Sequence, residues 1–435
     1  MTPIRYATLP LALALTLSAC GNGDPGPTAA PTGAATSDPP GSTATSTATS
    51  SATGAATEGT GPTPEKTHTD ATAGTETTDA PSAAEECVAS TIGGLSEDQR
   101  LGQLLMIGFD TNAPLTSLDE QIEDHHVGNV IYLGGWEGLE KVRSTSDHLE
   151  GLVGEGSTGG IGLLVAADQE GGVVHQLRGE GFTRPPQALE QAGLTPAELT
   201  AAATGWGEEI AAAGVNLNLA PVADTVPEEI GRANEPIGRW GRQYGSDPEV
   251  VSEYVVAFLD GMRSADVAGI VKHFPGLGRV TGNTDFTADG IEDDVATLDD
   301  PFLAPFVAGM DAGASMVMMS SAVYPQIDPD HQALYSSMIV TDLLREQLGW
   351  GGVVITDDVN AVALQDIPAG ERAVRFLAAG GDIVLNGNPG ATTEMLDAIR
   401  AEAAADDVFA AQVDAAVERV LTLKDDLGLL PCSQR

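Results

Sequence analysis

Three observations predict a (β/α)8 barrel preceded by a long unstructured leader. Residues 88–430 contain eight short apolar runs: 104–109, 127–133, 161–168, 214–222, 267–274, 314–321, 351–358 and 381–386. Runs this short and this continuously apolar suit parallel strands covered on both faces. Stretches with helical periodicity separate them. In PEVVSEYVVAFLDGMRSA (248–265), Val250, Val251, Tyr254, Val255 and Phe258 form one face, and SSMIVTDLLREQLG (336–349) reads as another helix. Residues 391–429 have room for more than one helix. Finally, no complete phosphate-binding loop or dinucleotide fingerprint follows any run. GLGRVTG (276–282) lacks the required spacing, which argues against a doubly wound open sheet.

In chain order, the first element is an export signal. MTPIRYATLPLALALTLSAC has a basic Arg5 and an apolar core too short to span a bilayer. Its end, Leu17-Ser18-Ala19-Cys20, resembles a bacterial lipobox. We therefore expect residues 1–19 to be removed, Cys20 to be lipidated, and the protein to sit outside the cytoplasm, held to the cell membrane by that lipid. Residues 21–86 are almost all Thr, Ala, Ser, Gly, Pro, Asp and Glu with no Phe, Trp or Tyr, a composition that cannot bury enough surface to order itself. We expect a tether there and the folded domain over 87–435.

The formal net charge of −43 argues against nucleic acid and against a polybasic membrane contact, and reads as a highly soluble surface. A monomer is expected. Cys87 and Cys432 flank the domain. In an oxidising compartment they form a candidate disulfide, with two free thiols as the alternative. No Cys/His spacing suggests a metal, and no cofactor is expected.

Catalytic groups of such barrels gather at the C-terminal ends of the strands. There the chain carries Asp168 with Gln169 and Glu170, Asp224, Lys272 and His273, Ser320 and Ser321, Asp357 with Asp358, and Asn386 with Asn388. This ring of carboxylates, amides and hydroxyls suits a neutral, hydroxyl-rich ligand such as a sugar. Glycosyl transfer needs a carboxylate beneath the anomeric carbon and an acid at the leaving oxygen. Asp357, ending the run GGVVIT, stands where a nucleophile would. The alternative for a lone strand-end Asp is a helix N-cap.

KHFPG (272–276), DQEGG (168–172) and GVVITDDV (352–359) together resemble the catalytic domain of glycoside hydrolase family 3. They are most similar to its β-N-acetylglucosaminidase branch. APVAD (220–224), IGRWGRQYGSDP (237–248), SAVYPQID (321–328) and LLREQLGWGGVVITDD (343–358) extend the likeness over about residues 95–430. The chain after residue 390 is too short for the sandwich-like second domain of family 3 β-glucosidases. The resemblance implies a retaining exo-glycosidase acting on N-acetylglucosamine of peptidoglycan fragments or related glycans. It makes Asp357 the nucleophile and assigns Asp168, Arg242, Lys272 and His273 to the sugar.

The match breaks at the acid/base. The branch carries KHFPGHG followed by DSH, whereas this chain has Leu277 in place of the first loop His and Asn283-Thr284-Asp285 in place of Asp-Ser-His. Asp285 is the candidate general acid/base, with Asp289 and Glu235 as alternatives. Gly276, Gly278 and Gly282 read as a flexible lid or as turn formers. After DQEGG the usual Arg is missing; Arg178 is a substitute and His175 a possible lining residue. A β-glucosidase, a phosphorolytic enzyme and a non-catalytic muropeptide-binding lipoprotein are the competing functions.

Overall fold

A computed structural model describes residues 82–433. The expected signal peptide, Cys20 and nearly all of the expected tether lie outside the described residues. Eight parallel strands form the barrel: β1 Leu105–Asp110, β2 Asn129–Leu133, β3 Leu164–Ala167, β4 Leu217–Asn218, β5 Ala268–Phe274, β6 Met316–Met319, β7 Val353–Thr356 and β8 Val384–Asn386. Each lies within one of the eight apolar runs or extends one by a residue. Neighbours pair in sequence order from β1 to β7, and β1 also pairs with β8. The Ile355–Ile383 bridge and the bond from Thr356 N–H to the Ile383 carbonyl (3.0 Å) join β7 to β8, closing the ring.

The helices start where local chemistry lets them. Ser96 and Thr195 head capping boxes with Gln99 and Glu198, and Asp247 caps Pro248–Ser264, with proline supplying the first helical φ. The predicted helix at 336–349 forms over Met338–Gln347 but is wound wider, as a π-helix. Asp406 divides the last segment into Thr392–Ala405 and Asp407–Asp426, accepting from the N–H groups of Val408 and Phe409. Cys87, on the first helix (Ala83–Gly94), is bonded to Cys432, which joins the two ends of the domain across 345 residues.

Three short strand pairs in the loops carry no pattern that sequence periodicity detects. Gln169–Gly171 pairs with Val174–His175, Trp136–Glu137 with Leu177–Arg178, and Val323–Tyr324 with Asp328–Gln332. The first two shape the barrel mouth beside β3.

Candidate active site

Adjacent strand residues normally point to opposite faces. In β5 the register against β6 slips between Met318, opposite Lys272, and Met319, opposite Phe274, so His273 is an extra residue. The bulge lets Lys272 and His273 line one cavity. That cavity, about 170 Å³, lies at the C-terminal ends of the strands. Asp168, Arg242, Lys272, His273, Asp285 and Asp357 all line it, together with Val174, Pro236, Leu277, Asn283 and Thr284.

One side is a balanced ion cluster. Lys272 Nζ lies 2.6 Å from both Asp168 Oδ1 and Glu170 Oε1. Arg242 grips Glu170 in a fork, Nη2 to Oε1 at 2.7 Å and Nε to Oε2 at 2.9 Å. Burial disfavours charge on Lys272, but Asp168 and then Glu170 outweigh it and raise its pKa above the ordinary lysine value. Burial likewise works against Glu170; Arg242 and then Lys272 prevail and hold it well below the usual carboxylate range. The side chain of Asp168 is 20% exposed and that of Glu170 5%. Asp168 can therefore meet a ligand, while Glu170 is the buried counter-ion that sets both cations. His273 Nδ1 is 2.7 Å from Asp224 Oδ2, and Asp224 Oδ1 accepts from Leu277 N–H at 2.7 Å, so one buried acid orients the imidazole and the start of the next loop.

The other side holds two carboxylates that form no ion pair among the described residues, Asp285 and Asp357. Asp357 stands just past β7; its N–H donates to the Met319 carbonyl (3.1 Å) and its Oδ1 accepts from Asp358 N–H (2.9 Å). Asp285 is exposed as a residue and lines the cavity. Desolvation by the surrounding protein, then the charge of Asp357, push it up to about 6; Arg242 and His273 act against the rise and Asp358 adds to it.

The loop bearing Asp285 is firmly rooted. Asn234 Nδ2 donates to the carbonyls of Leu277 (2.6 Å) and Val280 (2.7 Å). Arg279 binds Asp300 and Asp293 and stacks 3.9 Å above the Phe302 ring. A Cβ on Gly278 would sit 1.7 Å from the Thr225 carbonyl oxygen, and one on Gly282 2.0 Å from that of Asp289. These two glycines allow backbones to pass closely.

The glycosyl hydrolase family 3 N-terminal domain model matches residues 96–423. The chain belongs to glycosyl hydrolase family 3. Among the family's solved structures, the β-N-acetylhexosaminidase from Beutenbergia cavernae DSM 12333 is 50% identical, with a TM-score of 0.74, covering 76% of this chain and 98% of that one. The family 3 β-N-acetylglucosaminidase from Paenibacillus sp. str. FPU-7 is 30% identical, with a TM-score of 0.66, over 77% of this chain and 63% of that one. A β-hexosaminidase of Xanthomonas euvesicatoria pv. vesicatoria (strain 85-10) is 38% identical over 250 residues, 55% of this chain and 71% of that protein.

Within this family 3 site, the other sequence candidates stand apart. Glu235 is engaged by Arg239 and lies outside the cavity lining, as does Asp289. Arg178 reaches back to Glu137 (3.7 Å) and the Gly135 carbonyl (3.4 Å), and His175 is likewise not among the lining residues; Val174 takes that place. Sequence reasoning noted Glu170 and Asp224 at strand ends but gave neither a role. The signal was there, since each is an acid next to a strand end in a chain with few cations to pair with.

Proposed function

We propose that the domain is a retaining exo-β-N-acetylglucosaminidase that hydrolyses terminal N-acetylglucosamine from peptidoglycan fragments or related glycans. The observation that carries the reading is the pairing, in one cavity, of the two carboxylates free of ion pairs, one of them pushed up to about 6. Asp357 attacks the anomeric carbon as Asp285 gives its proton to the glycosidic oxygen; the C–O bond breaks and a glycosyl ester forms on Asp357. Asp285, now a carboxylate, takes a proton from water, the water oxygen bonds to the anomeric carbon, and Asp357 is released. Asp168, Arg242, Lys272 and His273 hold the sugar hydroxyls. An anionic base also repels phosphate, which favours water in the second step. Leu17-Ser18-Ala19-Cys20 supports a lipid-anchored, extracytoplasmic protein.

The test is hydrolysis of an aryl β-N-acetylglucosaminide and an aryl β-glucoside side by side, with and without phosphate. We expect turnover of the acetamido sugar, independent of phosphate and abolished in Asp357→Asn. Preference for the glucoside, a phosphate requirement, or binding without turnover would each select one of the competing functions.

A further inference from the structure

Past β7 the chain does more than present Asp357. Asp358 Oδ1 accepts three hydrogen bonds, from Asn360 N–H (2.9 Å), Asn360 Nδ2 (3.0 Å) and Gly387 N–H (3.0 Å). Ala361 N–H donates to the Asp358 carbonyl at 3.0 Å, completing a tight turn. A Cβ at position 387 would fall 2.5 Å from Asp358 Oδ2, so the β8 end is shaped around this carboxylate. Directly beyond the turn, Val362 N–H donates to the Asp285 carbonyl (3.3 Å) and Ala363 N–H to the Thr284 carbonyl (3.1 Å). At the near end, Asp358 N–H bonds the Asp357 carboxylate.

We propose that Asp358 is a positioning residue that couples the two carboxylates of the site. Its side chain folds residues 357–363 into a strap that orients the Asp357 carboxylate at one end and docks the Thr284–Asp285 backbone at the other. The proposal rests on the reading of Asp285 as acid and Asp357 as nucleophile. A general acid contributes about 10²–10⁴-fold, and most where the leaving group is poor, so a slipped strap should leave a leaving-group signature.

The experiment compares kcat and kcat/KM across aryl N-acetylglucosaminides of increasing leaving-group acidity, in Asp358→Ala, Asp358→Asn, Val362→Pro and Asp285→Asn. Val362→Pro removes the N–H that docks Asp285 and touches none of the Asp358 hydrogen bonds. Val362 opens a short 3-10 turn and Ala361 is extended (φ −51°, ψ 142°), so the position admits proline and the variant keeps the test open if Asp358→Ala fails to fold. We expect Asp358→Ala to lose about 10²-fold on poor leaving groups and under tenfold on activated ones. Its pH limb near 6 should move toward an ordinary carboxylate value; because the Asp358 charge itself also raises Asp285, the same movement in Val362→Pro, which keeps that charge, is what marks the coupling. Asp358→Asn, which keeps one acceptor oxygen, should recover part of the loss, and Val362→Pro should show the same signature at smaller size. Equal loss on all leaving groups, or an unmoved pH limb, would overturn the coupling. If Asp285→Asn itself shows no leaving-group dependence, the assignment of the acid has failed instead.

Discussion

Two fully buried lysines stand at opposite ends of the barrel, and they are kept in opposite ways. Lys272, at the C-terminal end of β5, meets two carboxylates, Asp168 and Glu170. Lys424, on the helix Asp407–Asp426, reaches under the N-terminal ends of β1 to β3. There it donates to Gln103 Oε1 (2.7 Å) and to the carbonyls of Gly128 (2.8 Å) and Gly162 (3.0 Å). None of these acceptors is charged, so burial lowers Lys424 to about 7, with only Glu150 opposing the shift. Burial cost is common to both. At the mouth, charge offsets it and leaves a preorganised cation for a ligand. At the base, three hydrogen bonds tie strand ends together around a group that titrates near neutrality.

The largest effect should come from Lys272→Met. It strands Asp168 and Glu170 with one fewer cation, and we expect kcat/KM to fall about 10²–10³-fold. Stability should fall by about 3 kcal/mol, the usual cost of removing one partner of a buried ion cluster. Both are read from steady-state kinetics and a denaturant melt. Retained activity would mean that the cluster is scaffolding and Lys272 never meets the sugar.

Next in size, the two ends should respond to pH in opposite directions. Asp285 must hold its proton to act as acid, so kcat/KM should fall about tenfold per pH unit once pH rises through about 6. Asp285→Asn removes that limb. At the base, between about pH 7 and the ordinary lysine value of 10.5, the unfolded chain binds a proton that folded Lys424 has released. Stability from this group therefore rises with pH across that window and is flat below it. Lys424→Met should abolish the slope and cost about 2–3 kcal/mol, because three acceptors lose their donor, while kcat stays within about twofold. A matching fall in kcat would show that the two ends are not independent.

The eight strands could be read from the chain because each is an uninterrupted apolar run, a signal set by burial on both faces. Asp357, Lys272 and His273 could be placed at strand ends for the same reason. What periodicity could not express is the slip that turns His273 inward, since a bulge depends on the partner strand's register. The roles of Glu170 and Asp224 were hidden for a related reason. Their partners, Arg242 and His273, lie 72 and 49 residues away, and only the closed barrel brings them together. Asp285 could be proposed from its position in the loop, but its upward shift arises from desolvation in the cavity and then from Asp357 across it, which no local pattern encodes.

The smallest effect is expected at Arg178, and it sharpens the account of which mouth cations matter. Arg178 was a substitute for the missing Arg after DQEGG, yet its guanidinium turns back to Glu137 and the Gly135 carbonyl, and it does not line the cavity. Its ion pair with Glu137 is exposed on both sides, an arrangement worth about 0–1 kcal/mol. Arg178→Ala should therefore change kcat/KM by less than about threefold and leave the melting midpoint nearly unchanged. A loss near that of Lys272→Met would require Arg178 to swing into the mouth when substrate binds. The mouth would then recruit a cation from its rim, while the base, with every Lys424 donor already engaged, has no such freedom.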